Sequence, residues 1–233
     1  MYSIHAPRIA ACRGRVLHTA MPPSRSFTTD DIAAAALTVM DRDGLAALSM
    51  RSVARELGTG AMTLYRYVEG REGLEQLILD RMLRDLDLGP VAGQRWQDRV
   101  ATVLGRARAV LAAHPEAVPL VAIQRGLSPG LSRVGEAVLA AHAETGLDGR
   151  DRAIAFRALS AFLLGHVVVQ RFGPLAGSGT ARLSELPRDA FPVLADTASH
   201  ARSISAEEEF DGGLALVLRW IESELLRVRA APS

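Results

Sequence analysis

Apolar residues recur at helical spacing almost from one end of this chain to the other, and nowhere do they alternate. Ile32, Ala36, Val39 and Met40 share one face, as do Leu74, Leu77, Ile78 and Met82. Near the end, Phe210, Leu214, Val217, Leu218, Ile221 and Leu225 form a third stripe. A period near 3.6 places such residues on one side of a helix, whereas a half-buried strand needs a period of two. The expected fold class is therefore all-α. With 48% hydrophobic residues in 233, the chain has enough apolar surface for a core, which excludes general disorder. The richest apolar run, Ala158 to Val169, is broken by Ser160, Gly165 and His166 and is shorter than the roughly 18–20 residues of a membrane helix. No membrane association is expected.

The punctuation of the chain divides it in three. Residues 1–25 carry Pro7, Pro22, Pro23, Arg8, Arg13, Arg15 and Arg25 and no acidic group, which predicts a basic, disordered arm or one that touches a DNA minor groove. Its short apolar patches do not make a signal peptide, so a cytoplasmic protein is expected. Residues 26–85 are expected to form a compact helical domain. Thr28 caps its first helix, with Asp30 and Asp31 against the positive helix end, and Asp43-Gly44 stops it. Ser49 caps a second helix that Gly58 ends. A third runs from about Gly60 to Tyr67, and Glu72 opens a fourth. Residues 86–233 hold longer helices: Trp96 to Ala113, a short piece at Pro119 to Gln124, Pro129 to Thr145, Arg150 to Phe172, Arg188 to His200, and a last one to Val228 behind the capping box Ser205-Ala206-Glu207-Glu208. Gly173 to Pro187, with its prolines and glycines, is expected to be a flexible loop.

Little in the chain suggests catalysis. The single cysteine, Cys12, excludes an internal disulfide and a cysteine zinc site. None of the six histidines pairs with another at metal-ligating helical spacing, and there is neither a phosphate-cradling glycine loop nor a nucleophile elbow. No metal, cofactor or catalytic residue is expected. The net charge of +1 means that no large basic field advertises nucleic acid, although all 27 basic side chains are arginine.

The most specific stretch is Leu48 to Val68. Two short helices meeting steeply need a small residue at the contact, and Ala54 supplies it. Four residues on, Gly58 can take the left-handed conformation of a sharp reversal, while Val53, Leu57, Leu64 and Val68 bury the corner. Thr63, Arg66 and Tyr67 remain outward, with groups suited to phosphates and base edges. Residues 49–71 hold four arginines against Glu56 and Glu69, a local positive surplus. In Thr63-Leu64-Tyr65-Arg66-Tyr67-Val68, followed by Arg71 and Leu74, the segment Thr28 to Leu79 resembles the DNA-binding domain of the tetracycline-repressor (TetR) family. The stretches Ser49-Met50-Arg51 and Gly60 to Tyr65 resemble its tetracycline-repressor-like branch. Tyr67 stands where many members have histidine, and Arg71 where lysine is usual.

The resemblance implies a transcriptional regulator, a repressor released from its operator by a small, largely apolar ligand. It makes Ser49 and Arg51 backbone contacts, Thr63, Tyr65, Tyr67 and Arg71 phosphate or groove contacts, and Arg66 the base reader. It implies a homodimer on a roughly palindromic double-stranded DNA site, paired through the helices Arg150–Phe172 and Ser205–Val228, with the Phe210, Leu214, Val217, Leu218, Ile221 and Leu225 stripe in the interface. It also implies a small-molecule pocket between the helices from Trp96, Pro129 and Arg150. Phe162, His166 and Gln170 are the expected ligand-binding residues, and the helix from Glu72 the lever to the DNA-binding domain. Two other classes use the same residues: an all-α enzyme or small-molecule carrier with an incidental helical corner, and a ligand-independent DNA binder.

Overall fold

The computed structural model describes residues 26–89, 94–124, 128–143, 145–173 and 175–230, so the arm expected over residues 1–25 lies outside the described part. Regular structure among the described residues is entirely helical. Its α-helices are α1 (Thr29–Asp43), α2 (Met50–Glu56), α3 (Ala61–Leu64), α4 (Gly70–Leu83), α5 (Trp96–Ala113), α6 (Val118–Ile123), α7 (Pro129–Ala143), α8 (Gly149–Arg171), α9 (Ser178–Ser184), α10 (Pro192–Ala201) and α11 (Ala206–Ala230). Short 3-10 turns at Leu45–Ala47 and Pro115–Ala117 join α1 to α2 and α5 to α6.

Helix ends form where the local chemistry requires them. Thr28 and Asp31 make a reciprocal capping box at α1: the Asp31 amide donates to the Thr28 hydroxyl at 3.1 Å, and the Thr28 amide donates to the Asp31 carboxylate at 2.8 Å. Ser205 and Glu208 repeat it at α11. Gly44 ends α1 with φ +84°, in the region that favours glycine. The third helix is shorter than expected. Regular α-helix stops at Leu64, and Tyr65 to Tyr67 continue as turn, with the Tyr67 and Val68 amides both bonded to the Leu64 carbonyl.

Helices α1 to α4 pack around Ile32, Ala36, Met40, Val53, Leu64, Leu74 and Ile78 as the head of the molecule. The same core continues along α4 into the body, where Leu79 and Leu83 meet Leu104 of α5 and neighbours from α7 and α8. Helix α4 therefore belongs to both parts. Polar bonds reinforce this joint. Asp30 at the start of α1 accepts from Arg81 at 2.9 Å and from Arg84 at 2.5 Å, and these two guanidiniums hold its carboxyl below the ordinary carboxylate range.

Two expectations change in the body. The stretch expected to be a loop contains α9, which packs against α10; glycine weakens helix propensity there, but tertiary packing outweighs it. The final helix presents its main stripe to its own protomer. Phe210, Leu214, Leu218, Ile221 and Leu225 are buried within the single chain, and Val217 packs against the same core, so this set is not a free dimer face. Among the described residues, the exposed large apolar side chains of α11 are Leu216, Trp220 and Leu226, and those of α8 are Ile154, Val168 and Val169, with Phe172 at its carboxy-terminal cap. A helix with apolar residues on two sides does not reveal in its sequence which side meets its own core.

Candidate nucleic-acid interface and effector cavity

The head holds a helix-turn-helix whose geometry follows from its turns. Ser49 caps α2: the Ser52 amide donates to its hydroxyl at 3.1 Å, and the Ser52 hydroxyl reaches back to the Ala47 carbonyl at 2.8 Å. Gly58 has φ +67°, and the Thr59 amide donates to the Ala54 carbonyl at 2.9 Å, closing the reversal. Ala54 is buried where α2 meets α3, and Leu64 fixes α3 from beneath.

This anchoring sorts the expected contact residues. Arg51, Tyr65 and Arg66 are exposed. Thr63 is half-buried and accepts a hydrogen bond from the Thr59 hydroxyl at 3.3 Å, while Tyr67 is half-buried against the core. Arg71 is exposed, but its guanidinium is engaged by Glu75 and by the Leu45 carbonyl. Sequence reasoning missed Met62. At 79% exposure it is the most open large apolar side chain of the head, on the same short helix as Thr63. Its position two residues before the buried Leu64 was the available signal.

The body encloses an apolar cavity of about 150 Å3. Leu79 and Met82 of α4 line it, with Leu104 and Leu111 of α5, Val121 of α6, Leu131 and Val138 of α7, and Phe156, Leu159, Ser160 and Leu163 of α8. It thus lies among the helices from Trp96, Pro129 and Arg150, with α4 and α6 as further walls. Among the described lining residues Ser160 carries the only polar side chain, and its hydroxyl donates to the Phe156 carbonyl at 2.8 Å. Among the described residues no ionised group lines this space, so an ion placed in it would lose its hydration without a partner there.

The residues expected in the pocket lie elsewhere. Phe162, His166 and Gln170 stand one helical turn apart on the α8 face that meets α11, outside the cavity wall. The His166 ring packs edge-on against Phe210 with centroids 5.1 Å apart, and the Gln170 amide donates to Glu209 at 3.3 Å. Phe162 and Phe210 are 5.4 Å apart, and Arg108 of α5 lies over the Phe210 ring at 4.6 Å. Burial lowers the His166 pKa from its ordinary 6.5, with Glu209 opposing and Arg108 adding to the shift. Leu159 and Leu163 point to the cavity while Phe162 and His166 point to α11, because successive residues on a helix turn by about 100°.

The α7 amino terminus is locked to α4 beside this cavity. Asp80 accepts from the Ser128 hydroxyl at 2.6 Å and from the Gly130 amide at 2.8 Å. A side chain at Gly130 would meet Asp80 and Leu83 at 3.1–3.3 Å, so the close approach of α7 to α4 depends on glycine.

Comparison with known proteins agrees with this layout. Residues 25–75 match the family described as bacterial regulatory proteins, tetR family, and residues 89–225 match the tetracyclin repressor-like C-terminal domain. An HTH-type transcriptional regulator of Saccharopolyspora erythraea is 32% identical over 174 residues, 72% of this chain and 74% of that protein. The HTH-type transcriptional repressor DrrR1 of Streptomyces coeruleorubidus is 52% identical over 62 residues, 27% of this chain and 23% of its own length. The apo structure of ActR from Streptomyces coelicolor superposes with a TM-score of 0.76 at 27% identity, covering 87% of this chain and 98% of ActR. ActR is also known in complex with (S)-DNPA and with actinorhodin. Both the helix-turn-helix head and the helical body are accounted for by one family, and the chain belongs to the TetR family of bacterial transcriptional regulators.

Proposed function

We propose that the protein is a cytoplasmic, homodimeric repressor that binds a roughly palindromic operator and leaves it when a small molecule with an apolar body fills the cavity. The carrying observation is the helix-turn-helix corner, closed underneath by Leu64 and open on the other side through Met62, Tyr65 and Arg66. Residues 26–85 form the DNA-binding part and 86–233 the effector and dimerisation part, with residues 1–25 as a basic arm. Arg66 reads a base, since a guanidinium can bond both major-groove acceptors of a guanine. Met62 supplies an apolar contact suited to a thymine methyl group. Ser49, Arg51, Thr63, Tyr65 and Tyr67 position the head on the backbone.

The dimer forms through the outward faces of α8 and α11. Along α8 and its carboxy-terminal cap, Ile154, Ala158, Ala161, Gly165, Val168 and Phe172 follow one another at alternating steps of four and three residues, the spacing of a helix-packing seam. Pairing there places two recognition helices in successive major grooves about 34–36 Å apart.

Filling the cavity releases DNA only if the ligand binds the DNA-incompetent arrangement more tightly than the competent one. The lining favours aliphatic or aromatic bodies and leaves any charged group outside. The compounds bound to ActR, (S)-DNPA and actinorhodin, are the first to titrate.

Selection of duplexes from random DNA tests the reading. The protein is expected to recover an inverted repeat, and Arg66→Ala to relax one position in each half-site at a cost of about 1–3 kcal/mol per contact. Recovery of no symmetric site, or an unchanged preference in Arg66→Ala, would show the assignment to be wrong.

A further inference from the structure

The family resemblance assigns Arg71 to DNA phosphates, yet its guanidinium already has two acceptors inside the protein. Its Nε donates to Glu75 Oε1 at 2.8 Å, and its Nη2 donates to the carbonyl of Leu45 at 3.1 Å. The second oxygen of Glu75 accepts from Gln124 Nε2 at 2.9 Å. Glu75 has a side chain only 13% exposed, and Gln124, which follows α6, is 3% exposed. A nearly buried carboxylate with a donor on each oxygen makes strong charge-assisted bonds. The result is a continuous chain from the end of α6, across α4, to the turn between α1 and α2.

Both ends of this chain sit at informative places. At one end, Val121 of α6 is a wall of the cavity, as is Leu79, one turn after Glu75. At the other, the turn holding Leu45 runs through the buried Leu48 directly into Ser49, the cap of α2. Holding the Leu45 carbonyl therefore constrains how α2 enters, and α3 packs on α2. Among the described residues the buried side-chain oxygen of Gln124 has no hydrogen-bond partner, and the bond to Glu75 is the side-chain hydrogen bond that secures it.

We infer that Arg71 is a positioning residue, and that Leu45, Arg71, Glu75 and Gln124 form a polar strut through which α6 holds the helix-turn-helix in its DNA-binding orientation. The head end needs only DNA binding; the role of α6 as a regulated end rests on the cavity being the effector site. Movement of α6 away from α4 breaks the bond from Gln124 to Glu75, removes the restraint that fixes the Glu75 carboxylate and with it Arg71, and so loosens the turn ahead of α2.

The test compares the full-length parent with Arg71→Met, Gln124→Met and the double variant by amide hydrogen exchange and by titration of a duplex selected from random DNA. Gln124→Met is expected to speed exchange at Ala47 and Leu48, whose amides bond within that turn, by about tenfold while leaving α8 and α11 unchanged. It is also expected to weaken duplex binding about fivefold, with the double variant no weaker than Arg71→Met alone and the salt dependence the same in all four. Unchanged exchange at the turn, or equally faster exchange throughout the molecule, overturns the strut. So does a phosphate signature: additive effects on binding, with Arg71→Met lowering the salt slope by about one. Failure of the parent to select any duplex would undo the DNA reading, and the exchange measurement would still decide the strut.

Discussion

The head and the body handle their apolar residues differently. Among the described residues of the head, Met62 and Tyr65 are the only large apolar side chains left in the open, and both lie at the recognition helix. The body exposes many more, including Ile154, Val168, Leu216, Trp220 and Leu226 on its two longest helices and Phe172, at 84%, just past the end of α8. The head is thus a closed unit whose exceptions gather where the proposed contact with DNA lies. The body is an open unit whose outer apolar faces are left uncovered in the single chain, which is the ground for the proposed pairing of two copies. By length and apolar content α8 could also cross a membrane, but Ala155, Leu159, Leu163 and Val167 are buried in the core, Phe156 and Leu164 line the cavity, and Phe162 packs on α11.

That contrast can be broken most severely at Gly165. A side chain there meets nothing within 4 Å in the single chain, so Gly165→Arg should leave the protomer folded while blocking the seam. Sedimentation should show a monomer at micromolar concentration, with operator affinity down by about a hundredfold or more because the two half-sites are no longer linked. A dimer in this variant would remove α8 from the interface. By contrast, Leu218→Glu, which targets a side chain 6% exposed within one protomer, should unfold the body before it reports on pairing.

A smaller effect separates the inner face of α8 from its outer one. A Cβ at Gly213 of α11 would stand 2.7 Å from the Phe162 ring, so Gly213→Ala should force that ring to shift and cost about 1–3 kcal/mol in denaturant unfolding. Equal stability of Gly213→Ala and the parent would show that Phe162 has room to move. Comparing this variant with Gly165→Arg distinguishes a helix contact within the protomer from one between protomers.

The smallest effect concerns pH. Burial depresses the His166 pKa in the folded protein, so the unfolded chain takes up the proton first as pH falls. The contribution of this group is complete above its unfolded value of 6.5 and is lost progressively below it. Thermal unfolding of the parent should therefore lose more between pH 8 and pH 5 than unfolding of His166→Gln. Parallel losses would mean that His166 does not titrate differently in the two states.

Much of the molecule is legible from residues alone because its determinants are local. Thr28, Gly44, Ser49, Gly58 and the Ser205–Glu208 box act on backbone within a few residues, and each forms the cap or turn that its chemistry predicts. The 3.6-residue period likewise marks the buried face of α1 and of α4. The corner from Leu48 to Val68 combines both kinds of signal, which is why its turn at Gly58 and the exposure of Arg51, Tyr65 and Arg66 are legible in the residues, whereas the exposure of Met62 and the internal bonds of Arg71 are not.

What tertiary structure alone decided is which partner each face meets. Phe210, Leu214, Leu218, Ile221 and Leu225 read equally well as a dimer stripe and as a core stripe, and packing against α5 and α8 placed them in the core. Phe162, His166 and Gln170 share an α8 face, but only the position of α11 shows that this face is occupied by another helix and not by an effector. Arg71 follows the same rule: its charge is visible in sequence, while its two internal acceptors come from residues 26 positions before it and 4 after it. Periodicity and capping are properties of a single helix, whereas the choice among neighbours depends on how all the helices fill space together.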